Sequence, residues 1–433
     1  MANRSVSLTA YARLIRTNRN FRLLWIAQIV SEQGDWLYAV AVYSLLLELT
    51  GSAKYVAFAF VAQVLPQLFV SPAAGVINDR ISRKKVMIFA DWLRAAIVLC
   101  MVLVRGPQLV WLLYSLLVLE TILWGLFEPG RSAAIPNIVG ESELTVANTL
   151  SATTWSFNFA MGVAVGGVLA AYFGRDAVFV LNSLSFVLSA LLIRRMKFVE
   201  PHAENLPPLK ARDLADFSFI AEGIRYVHRH PQLRTTIFVK AGVGLMAANW
   251  VLLPIFGERI FPIHRAGFNG RQAGMLGMSL LMASRGVGAI IGPMVAGYWA
   301  ANIESRMRIG ILLSYLAGVA GYLTLGHAAG LAVACAGLAL AHAGGSTAWV
   351  FSSTLLQFST EDRFRGRVFS AEWALNVVTM SMSSYSAGVL IDRTVPAPTV
   401  ATWTALVMLI PAVLWTALAL RTPAPQPTES AGR

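Results

Sequence analysis

Charge and cysteine are what this sequence has little of. Charged residues make up 13% of its 433 residues, well below the roughly one quarter that is usual in soluble domains. The two cysteines, Cys100 and Cys335, lie inside apolar stretches, so no disulfide framework is predicted. The chain also lacks a Walker-type phosphate loop and a His-Glu-x-x-His motif. Their absence argues against a nucleotide-driven pump and against a membrane-embedded metalloenzyme.

Apolar residues dominate the chain instead. They account for 56% of it, and the mean hydropathy is +0.61. They fall in blocks of roughly 20 residues, the length of a helix that crosses a bilayer core. Twelve blocks predict twelve transmembrane helices: 21–47, 53–77, 86–104, 108–130, 148–173, 176–194, 234–257, 272–300, 309–326, 328–356, 367–391 and 399–420.

The distribution of positive charge predicts an orientation. The chain carries 35 Lys and Arg, and most of them lie at the termini and in alternate segments between the blocks. In bacterial membrane proteins such segments stay in the cytoplasm. We therefore expect a multi-pass protein of the bacterial cytoplasmic (inner) membrane with both termini in the cytoplasm. No basic soluble domain remains, so no nucleic-acid partner is expected despite the net charge of +13.

Two features divide the chain into halves. A charged segment with several prolines separates the sixth block from the seventh, and Glu141–Ala152 resembles Thr360–Ala371 at the same place in each half. A duplicated six-helix unit predicts such a repeat. The expected parts are an N-terminal six-helix bundle at 1–194, a cytoplasmic linker with an amphipathic helix at 195–233, a C-terminal six-helix bundle at 234–421 and a disordered cytoplasmic tail at 422–433.

The segment between the second and third blocks carries the most specific motif. Residues 75–85 read GVINDRISRKK, in which an acid follows the glycine by four positions and basic residues come one, four and five positions after the acid. This pattern resembles the loop signature of the major facilitator superfamily, where the loop latches the two halves together on the cytoplasmic side. A plain positive-inside anchor is the alternative interpretation.

The resemblance implies a cytoplasmic gate. Its glycine is expected to allow close helix approach, and Glu128 is expected to pair with Arg80 or Arg83. The expected members of the gate are Gly75, Asp79, Arg80, Arg83, Lys84, Glu128 and Arg131.

Further segments resemble one branch of that superfamily, the bacterial drug-efflux and transmembrane secretion effector proteins. They are Asn20–Asp35, Phe127–Pro136, Glu222–Tyr226 and Arg365–Arg367. The resemblance implies an all-α membrane protein with twelve transmembrane helices in two pseudo-symmetric six-helix bundles, the major facilitator fold. It also implies a secondary transporter rather than an enzyme.

Two positions depart from the family pattern. Ala301 stands where the C-terminal copy of the loop would have its acid, so that half of the latch is degenerate. In the fifth block, Gly162, Gly166 and Gly167 resemble the glycine-rich motif of exporters, but the usual proline is missing. Close helix packing through small residues explains these glycines equally well.

Charged residues inside the blocks are the candidate site, because burying charge in a bilayer is costly. Glu32 and Asp35 lie near the middle of the first block, and their spacing places them on one helix face. Repulsion between two ionised carboxylates this close favours uptake of a proton. Glu120 and Arg285 are the other charges near mid-depth, one from each half.

We hypothesise that Glu32, Asp35 and Glu120 carry coupling protons or hold a cationic substrate. Arg285 would tune these acids or bind an anionic group, and a structural pair between Arg285 and one acid is the alternative. His342 is expected to be a hydrogen-bonded packing residue, although histidine titrates near neutral pH. Five other charges are expected closer to the cytoplasmic ends, in latch pairs: Asp91, Arg94, Glu128, Lys240 and Glu372.

Tryptophans fall into two groups. Trp36 and Trp155 lie deeper in the blocks, where they either hold a lipophilic substrate or face lipid. Four others near block ends are expected to be interface anchors: Trp111, Trp250, Trp299 and Trp403.

Together these observations predict proton-coupled export of amphiphilic drugs or metabolites by alternating access. The proton gradient is the expected energy source, with no cofactor and no metal site. A lysophospholipid or siderophore carrier, or an uptake carrier of the same fold, is the alternative, and a membrane-embedded enzyme is a remote one. The expected partners are the lipid bilayer, protons and a small amphiphilic substrate, and we expect a monomer.

Overall fold

The computed structural model describes residues 8–140, 143–200, 218–301 and 303–418. These residues form α-helices joined by short turns, with no β-strand among them. The helices are α1 Leu8–Thr17, α2 Arg19–Thr50, α3 Ala53–Arg80, α4 Arg83–Cys100, α5 Val110–Ile138, α6 Leu144–Phe173, α7 Arg175–Arg194, α8 Ser218–Arg229, α9 Pro231–Thr236, α10 Val239–Gly244, α11 Asn249–Ile255, α12 Gly270–Ala300, α13 Glu304–Gly326, α14 Leu331–Ser359, α15 Asp362–Asp392 and α16 Ala397–Leu418.

Within the described segments, 11 helices are long and apolar enough to cross a bilayer. They correspond to the second through twelfth predicted blocks, which confirms an all-α membrane protein. The first block corresponds to α2, which is 32 residues long and so spans about 48 Å at 1.5 Å per residue. It is not among the 11 because four polar or charged residues, Gln28, Glu32, Gln33 and Asp35, interrupt its apolar stretch. The total of twelve spans is consistent with these helices but stays a prediction.

The ends of α2 follow from its flanking residues. The Asn18 side chain accepts a hydrogen bond from the backbone N–H of Phe21 at 2.9 Å, which satisfies one of the free donors of the first turn. At the other end Gly51 adopts a φ of +65°, the left-handed conformation that commonly ends a helix. These two caps define the helix that carries Glu32 and Asp35.

By their internal contacts, the residues divide into two compact units. The N-terminal unit groups Met1–Phe217 with Trp250–Ala283, and the C-terminal unit groups Ser218–Asn249 with Ser284–Arg433. The amphipathic helix expected in the linker corresponds to α8. The predicted tail at 422–433 lies outside the described residues. The predicted bundle boundaries stay a prediction.

Close helix packing organises the N-terminal unit. In it α2 packs against α6 and α7, α4 against α5 and α7, and α3 against α5. A Cβ added at Gly166 in α6 would lie 2.2 Å from the carbonyl oxygen of Leu37 in α2, so only glycine allows this approach. One added at Gly162 would lie 2.5 Å from the Cβ of Trp36. The packing interpretation of the fifth-block glycines is therefore supported.

The C-terminal unit contains a broken helix. In this unit α13 packs against α14 and α16, and α15 packs against α8 and α10. The span that corresponds to the seventh predicted block, Leu233–Ile260, is interrupted in this unit by a 3-10 segment at Leu245–Ala248. Its residues from Trp250 onward belong to the N-terminal unit and end in a π-helical turn at Phe256–Ile260. Gly242 and Gly244 lie just before the first interruption, where their low helix propensity weakens the helix.

Candidate functional site: a buried charge network

Arg94 is the centre of a buried charge network in the N-terminal unit. From α4 its Nη2 donates to both carboxylate oxygens of Asp35 in α2, at 2.8 and 2.7 Å. Its Nε and Nη2 donate to Oε1 of Glu120 in α5, at 3.0 and 2.9 Å. The Arg94 side chain is 1% exposed. One guanidinium therefore holds together two of the acids that the sequence placed at mid-depth.

A third acid and two aromatic rings complete the surroundings of Arg94. Nη1 lies 3.5 Å from Oδ1 of Asp91, one turn earlier on α4. The guanidinium carbon lies 4.0 Å from the ring centre of Phe186 and 5.7 Å from that of Phe127. Such ring faces attract a cation, more strongly where water is excluded. The centre thus has more carboxylates than cations, and this imbalance favours binding of a proton or of a second cation.

Hydroxyl and amide groups extend the network from Glu120. The Tyr38 hydroxyl lies 3.5 Å from Oε2 of Glu120. The Gln63 Nε2 donates to the Tyr38 hydroxyl at 3.3 Å, and the Tyr43 hydroxyl donates to Oε1 of Gln63 at 3.0 Å. These groups form a polar path between α2, α3 and α5.

Glu32 has a separate set of partners. Its Oε1 accepts from Nε2 of Gln28 at 2.9 Å, and its Oε2 accepts from Nδ2 of Asn158 in α6 at 3.1 Å. Nη1 of Arg131 donates to Oε1 of Gln28 at 2.9 Å, so an amide lies between this cation and Glu32. Arg131 forms its ion pair with Glu128 instead. Glu32 is therefore a buried carboxylate held mainly by amides.

The loop signature binds several parts of the N-terminal unit together. Arg83 donates to the carbonyl oxygen of Ala133 at 2.7 Å and lies 3.8 Å from Asp79. Lys84 donates to the carbonyl oxygen of Met196, just after α7, at 2.6 Å. These bonds tie the start of α4 to α5 and to the end of α7.

Two expectations about this signature need correction. Among the described residues, Glu128 forms an ion pair with Arg131 and not with Arg80 or Arg83 as expected. Arg131 lies three residues further along the same helix, a spacing that places two side chains on one helix face. Gly75 is exposed, and a Cβ added there would meet nothing within 4 Å. Close helix approach therefore does not explain this glycine within the described contacts.

The deep tryptophans belong to an aromatic cluster. The Trp36 ring centre lies 4.5 Å from that of Phe159, 6.0 Å from that of Trp155 and 6.3 Å from that of Trp250. Trp155 is 45% exposed, whereas Trp250 is 7% exposed and stacks on Phe60 at 5.1 Å. The expectation that Trp250 is an interface anchor is wrong, because its span is broken beside it and its ring packs inside the N-terminal unit.

The candidates of the second half lie in the C-terminal unit. Arg285 is in α12 and His342 is in α14. Nε2 of His342 is buried and has no hydrogen-bond partner among the residues that the structure describes. Lys240 and Glu372 form a buried ion pair with each other, at 2.7 Å from Nζ to Oε2.

Arg94 is the functional candidate whose place the sequence reasoning missed. We expected it near the cytoplasmic end, yet it binds Asp35 and Glu120, the acids expected at mid-depth. Arg94 follows Arg83, the first residue of α4, by about three helical turns, a depth similar to that of Glu32 in its own block. Counting turns in the third block would have predicted for Arg94 the same depth as for Asp35 and Glu120.

Solved structures of similar fold are transporters. The nucleoside transporter NupG superposes with a TM-score of 0.73, covering 93% of this chain and 99% of that one at 10% identity. A bacterial homologue of the human lysosomal transporter Spinster gives a TM-score of 0.68, covering 97% and 100% at 11% identity. At such identities the likeness establishes the fold alone.

The family follows from the sequence comparison. Residues 9–431 match the family described as transmembrane secretion effector, so the chain belongs to that family of major facilitator transporters. Its relatives include the uncharacterised MFS-type transporter YfiS of Bacillus subtilis, at 29% identity over 73% of this chain and 70% of that protein. Macrolide efflux protein A of Streptococcus pyogenes is 26% identical over 86% of this chain and 89% of that protein. The putative bacilysin exporter BacE of Bacillus subtilis is 25% identical over 68% and 70%.

Proposed function

We propose that this transporter exports amphiphilic drugs or metabolites across the bacterial inner membrane in exchange for protons. The observation that carries the proposal is the buried centre in which Arg94 holds Asp35 and Glu120. Export as the direction is supported by two relatives, macrolide efflux protein A and the putative bacilysin exporter. The proton gradient is the proposed energy source, and both termini are proposed to lie in the cytoplasm.

The proposed coupling step follows from electrostatics. While Asp35 is ionised, its attraction to Arg94 ties α2 to α4. A proton on Asp35 removes that attraction, and Arg94 keeps Glu120 and Asp91 as partners. The bond between α2 and α4 therefore depends on proton occupancy, which is the kind of two-state element that alternating access requires.

Glu32 and the aromatic cluster are proposed to receive the cargo. Glu32 accepts hydrogen bonds from two amides, and within the described part of the chain no cation binds its carboxylate directly. Trp36 lies one turn further along the same helix α2, Trp155 lies on the neighbouring helix α6, and both offer apolar ring faces. An acid beside aromatic rings suits a molecule with an apolar body and a cationic end.

Transport assays in everted membrane vesicles test the proposal. A macrolide and bacilysin are suitable first cargos, and release of an imposed pH gradient on cargo addition is the measured signal. The Asp35→Asn variant should lose about tenfold or more of this signal, because the amide keeps the shape of the side chain but cannot exchange the proton.

Asp176→Asn is the matched control. Asp176 also pairs with an arginine, Arg105, at 2.7 Å, but both side chains are about half exposed or more, at 49% and 63%. The same chemical change there should leave the signal intact. Undiminished proton-coupled transport in Asp35→Asn would refute the role of Asp35, and a pH gradient unaffected by any cargo would refute proton exchange.

A further inference from the structure

A second charged centre in the C-terminal unit has the form of a cation cage. The ammonium of Lys240 in α10 lies 2.7 Å from Oε2 of Glu372 in α15. It also lies 4.7 Å from the ring centre of Trp349 in α14 and 5.3 Å from that of Phe369 in α15. The side chains of the pair are 7% and 1% exposed. One carboxylate and two ring faces therefore enclose a single ammonium.

The lysine in this cage lies on the broken span. Its short helix α10 ends at Gly244, and a 3-10 segment follows at Leu245–Ala248. The Tyr315 hydroxyl donates to the carbonyl oxygen of Val239 at 2.9 Å, and the Tyr322 hydroxyl donates to that of Met246 at 2.8 Å. Hydrogen bonds from α13 therefore hold the backbone on both sides of Lys240, and the second of them lies within the break. In transporters, broken spans of this kind commonly form binding sites.

Unused hydrogen-bond acceptors point into the same region. Oε1 of Glu372 is buried and has no hydrogen-bond partner among the described residues. Oδ1 of Asn376, one turn further along α15, is likewise buried and unpartnered within the described part of the chain. Buried polar atoms without partners cost about 1–3 kcal/mol each, so such atoms are uncommon unless a function requires them. Both oxygens carry negative or partial negative charge, which attracts a cationic ligand.

We infer that Glu372, Trp349 and Phe369 form a second cation subsite, additional to Glu32 and its aromatic cluster, for the ammonium group of a cationic amphiphile, and that Lys240 is the built-in occupant which the cargo displaces. This inference rests on the proposed export function and specifies its cargo class. The neutral pair exchanges one ammonium for another, so the charge balance of the buried site is unchanged when cargo enters. Lys240 then moves to a more exposed position.

The chemistry of the cage favours an ammonium over other cations. Aromatic faces beside one carboxylate are a typical recognition site for alkylammonium groups. Calcium and magnesium need six or more oxygen ligands, which the cage does not offer among the residues described. An anion is disfavoured by the negative carboxylate and by the ring faces.

Labelling of lysine in the wild-type protein is the first test. The protein in lipid nanodiscs, without any ion gradient, is treated with acetic anhydride and digested, and acetylation of Lys240 is measured by mass spectrometry. Saturating benzyltrimethylammonium should raise the Lys240 acetylation rate about tenfold, because displacement exposes the amine. The exposed Lys54 serves as internal reference and should not change. An unchanged Lys240 rate with the cation bound overturns the inference.

Binding measurements with matched probes are the second test. Neopentylbenzene has the shape of benzyltrimethylammonium with carbon in place of the charged nitrogen. By calorimetry, Lys240→Met should bind the cation about tenfold more tightly than the wild type does, with no such gain for the neutral probe. The double variant Lys240→Met/Glu372→Gln should lose the preference for the cation. Equal binding of both probes to Lys240→Met contradicts a cation cage.

A purely structural ion pair gives a different pattern. In that case Glu372→Gln in the otherwise wild-type chain leaves cation affinity unchanged, whereas the cage requires a drop of about tenfold. If Lys240→Met fails to fold, the labelling test still decides the matter. None of these measurements uses a pH gradient, so failure of the cage and failure of proton coupling through Asp35 are distinguishable.

Discussion

The charged centres of the two units differ in their balance of charge. In the N-terminal unit, Arg94 faces three carboxylates, those of Asp35, Asp91 and Glu120. In the C-terminal unit, Lys240 faces one carboxylate and two aromatic rings. A centre with surplus acid gains stability by binding a proton, whereas a neutral pair gains nothing from one. The difference assigns proton exchange to the first centre and ammonium exchange to the second.

Removal of the Arg94 guanidinium from the N-terminal centre should have the largest effect on stability. Arg94→Met leaves three carboxylates, two of them buried, without their shared partner, and breaking a buried pair costs about 3–5 kcal/mol. Thermal unfolding in detergent should therefore show a large loss of stability, greater than that of Lys240→Met, which leaves one carboxylate. Arg105→Met removes an exposed partner and should cost about 1 kcal/mol or less. If Lys240→Met proves the more destabilising change, the contrast between the two centres does not hold.

A methyl group at the contact between α2 and α6 should have an intermediate effect. Gly166→Ala places a Cβ 2.2 Å from the Leu37 carbonyl oxygen, so the two helices must move apart. Overpacking of this kind costs about 1–3 kcal/mol, and here it displaces the helix that carries Asp35. Both thermal stability and transport should fall.

Gly75→Ala is the matched substitution in the loop signature. A Cβ there meets nothing within 4 Å, so stability should stay unchanged. Equal losses of stability in the two alanine variants would show that the contact between α2 and α6 is not what requires glycine at position 166.

Loosening the broken span of the C-terminal unit should have the smallest effect. Tyr322→Phe removes one hydrogen bond to the Met246 carbonyl oxygen, worth about 1 kcal/mol. Because that bond holds the break beside Lys240, the variant should also change the Lys240 acetylation rate. Tyr298→Phe is the control, since Tyr298 is 92% exposed and its hydroxyl is not needed for packing. If the Lys240 acetylation rate is the same in both variants, the hydrogen bond at the break does not control the position of Lys240.

Much of the fold was predictable because the membrane imposes simple rules. A helix must be about 20 apolar residues long to cross the bilayer, so block length alone located α3 to α7 and α12 to α16. The loop signature at 75–85 then led to the family, which the match over residues 9–431 confirms. The interruption of Leu233–Ile260 was not predicted, because apolar composition is the same in a regular and a broken helix.

The candidate site was predictable in part. Asp35 and Glu120 stood out because each is an acid inside an apolar block. Arg94, their common partner, did not stand out. The three residues lie on α2, α4 and α5, and no short-range spacing in the sequence shows that these helices meet. The pairing of Glu128 was misassigned for a related reason: the signature suggested a partner on another helix, while the nearest cation was one turn away.

The sequence by itself determined the membrane class, the helix lengths, the expected orientation and the family, since hydropathy, charge distribution and the loop signature are local properties of the chain. Only the tertiary structure decided which buried charges meet. An isolated charge in an apolar block must find a partner, but which helix supplies it depends on how closely the backbones pack, as at Gly166 and Leu37. That packing joins Asp35 and Glu120 through Arg94, and a separate set of contacts places Lys240 between Glu372 and two aromatic rings.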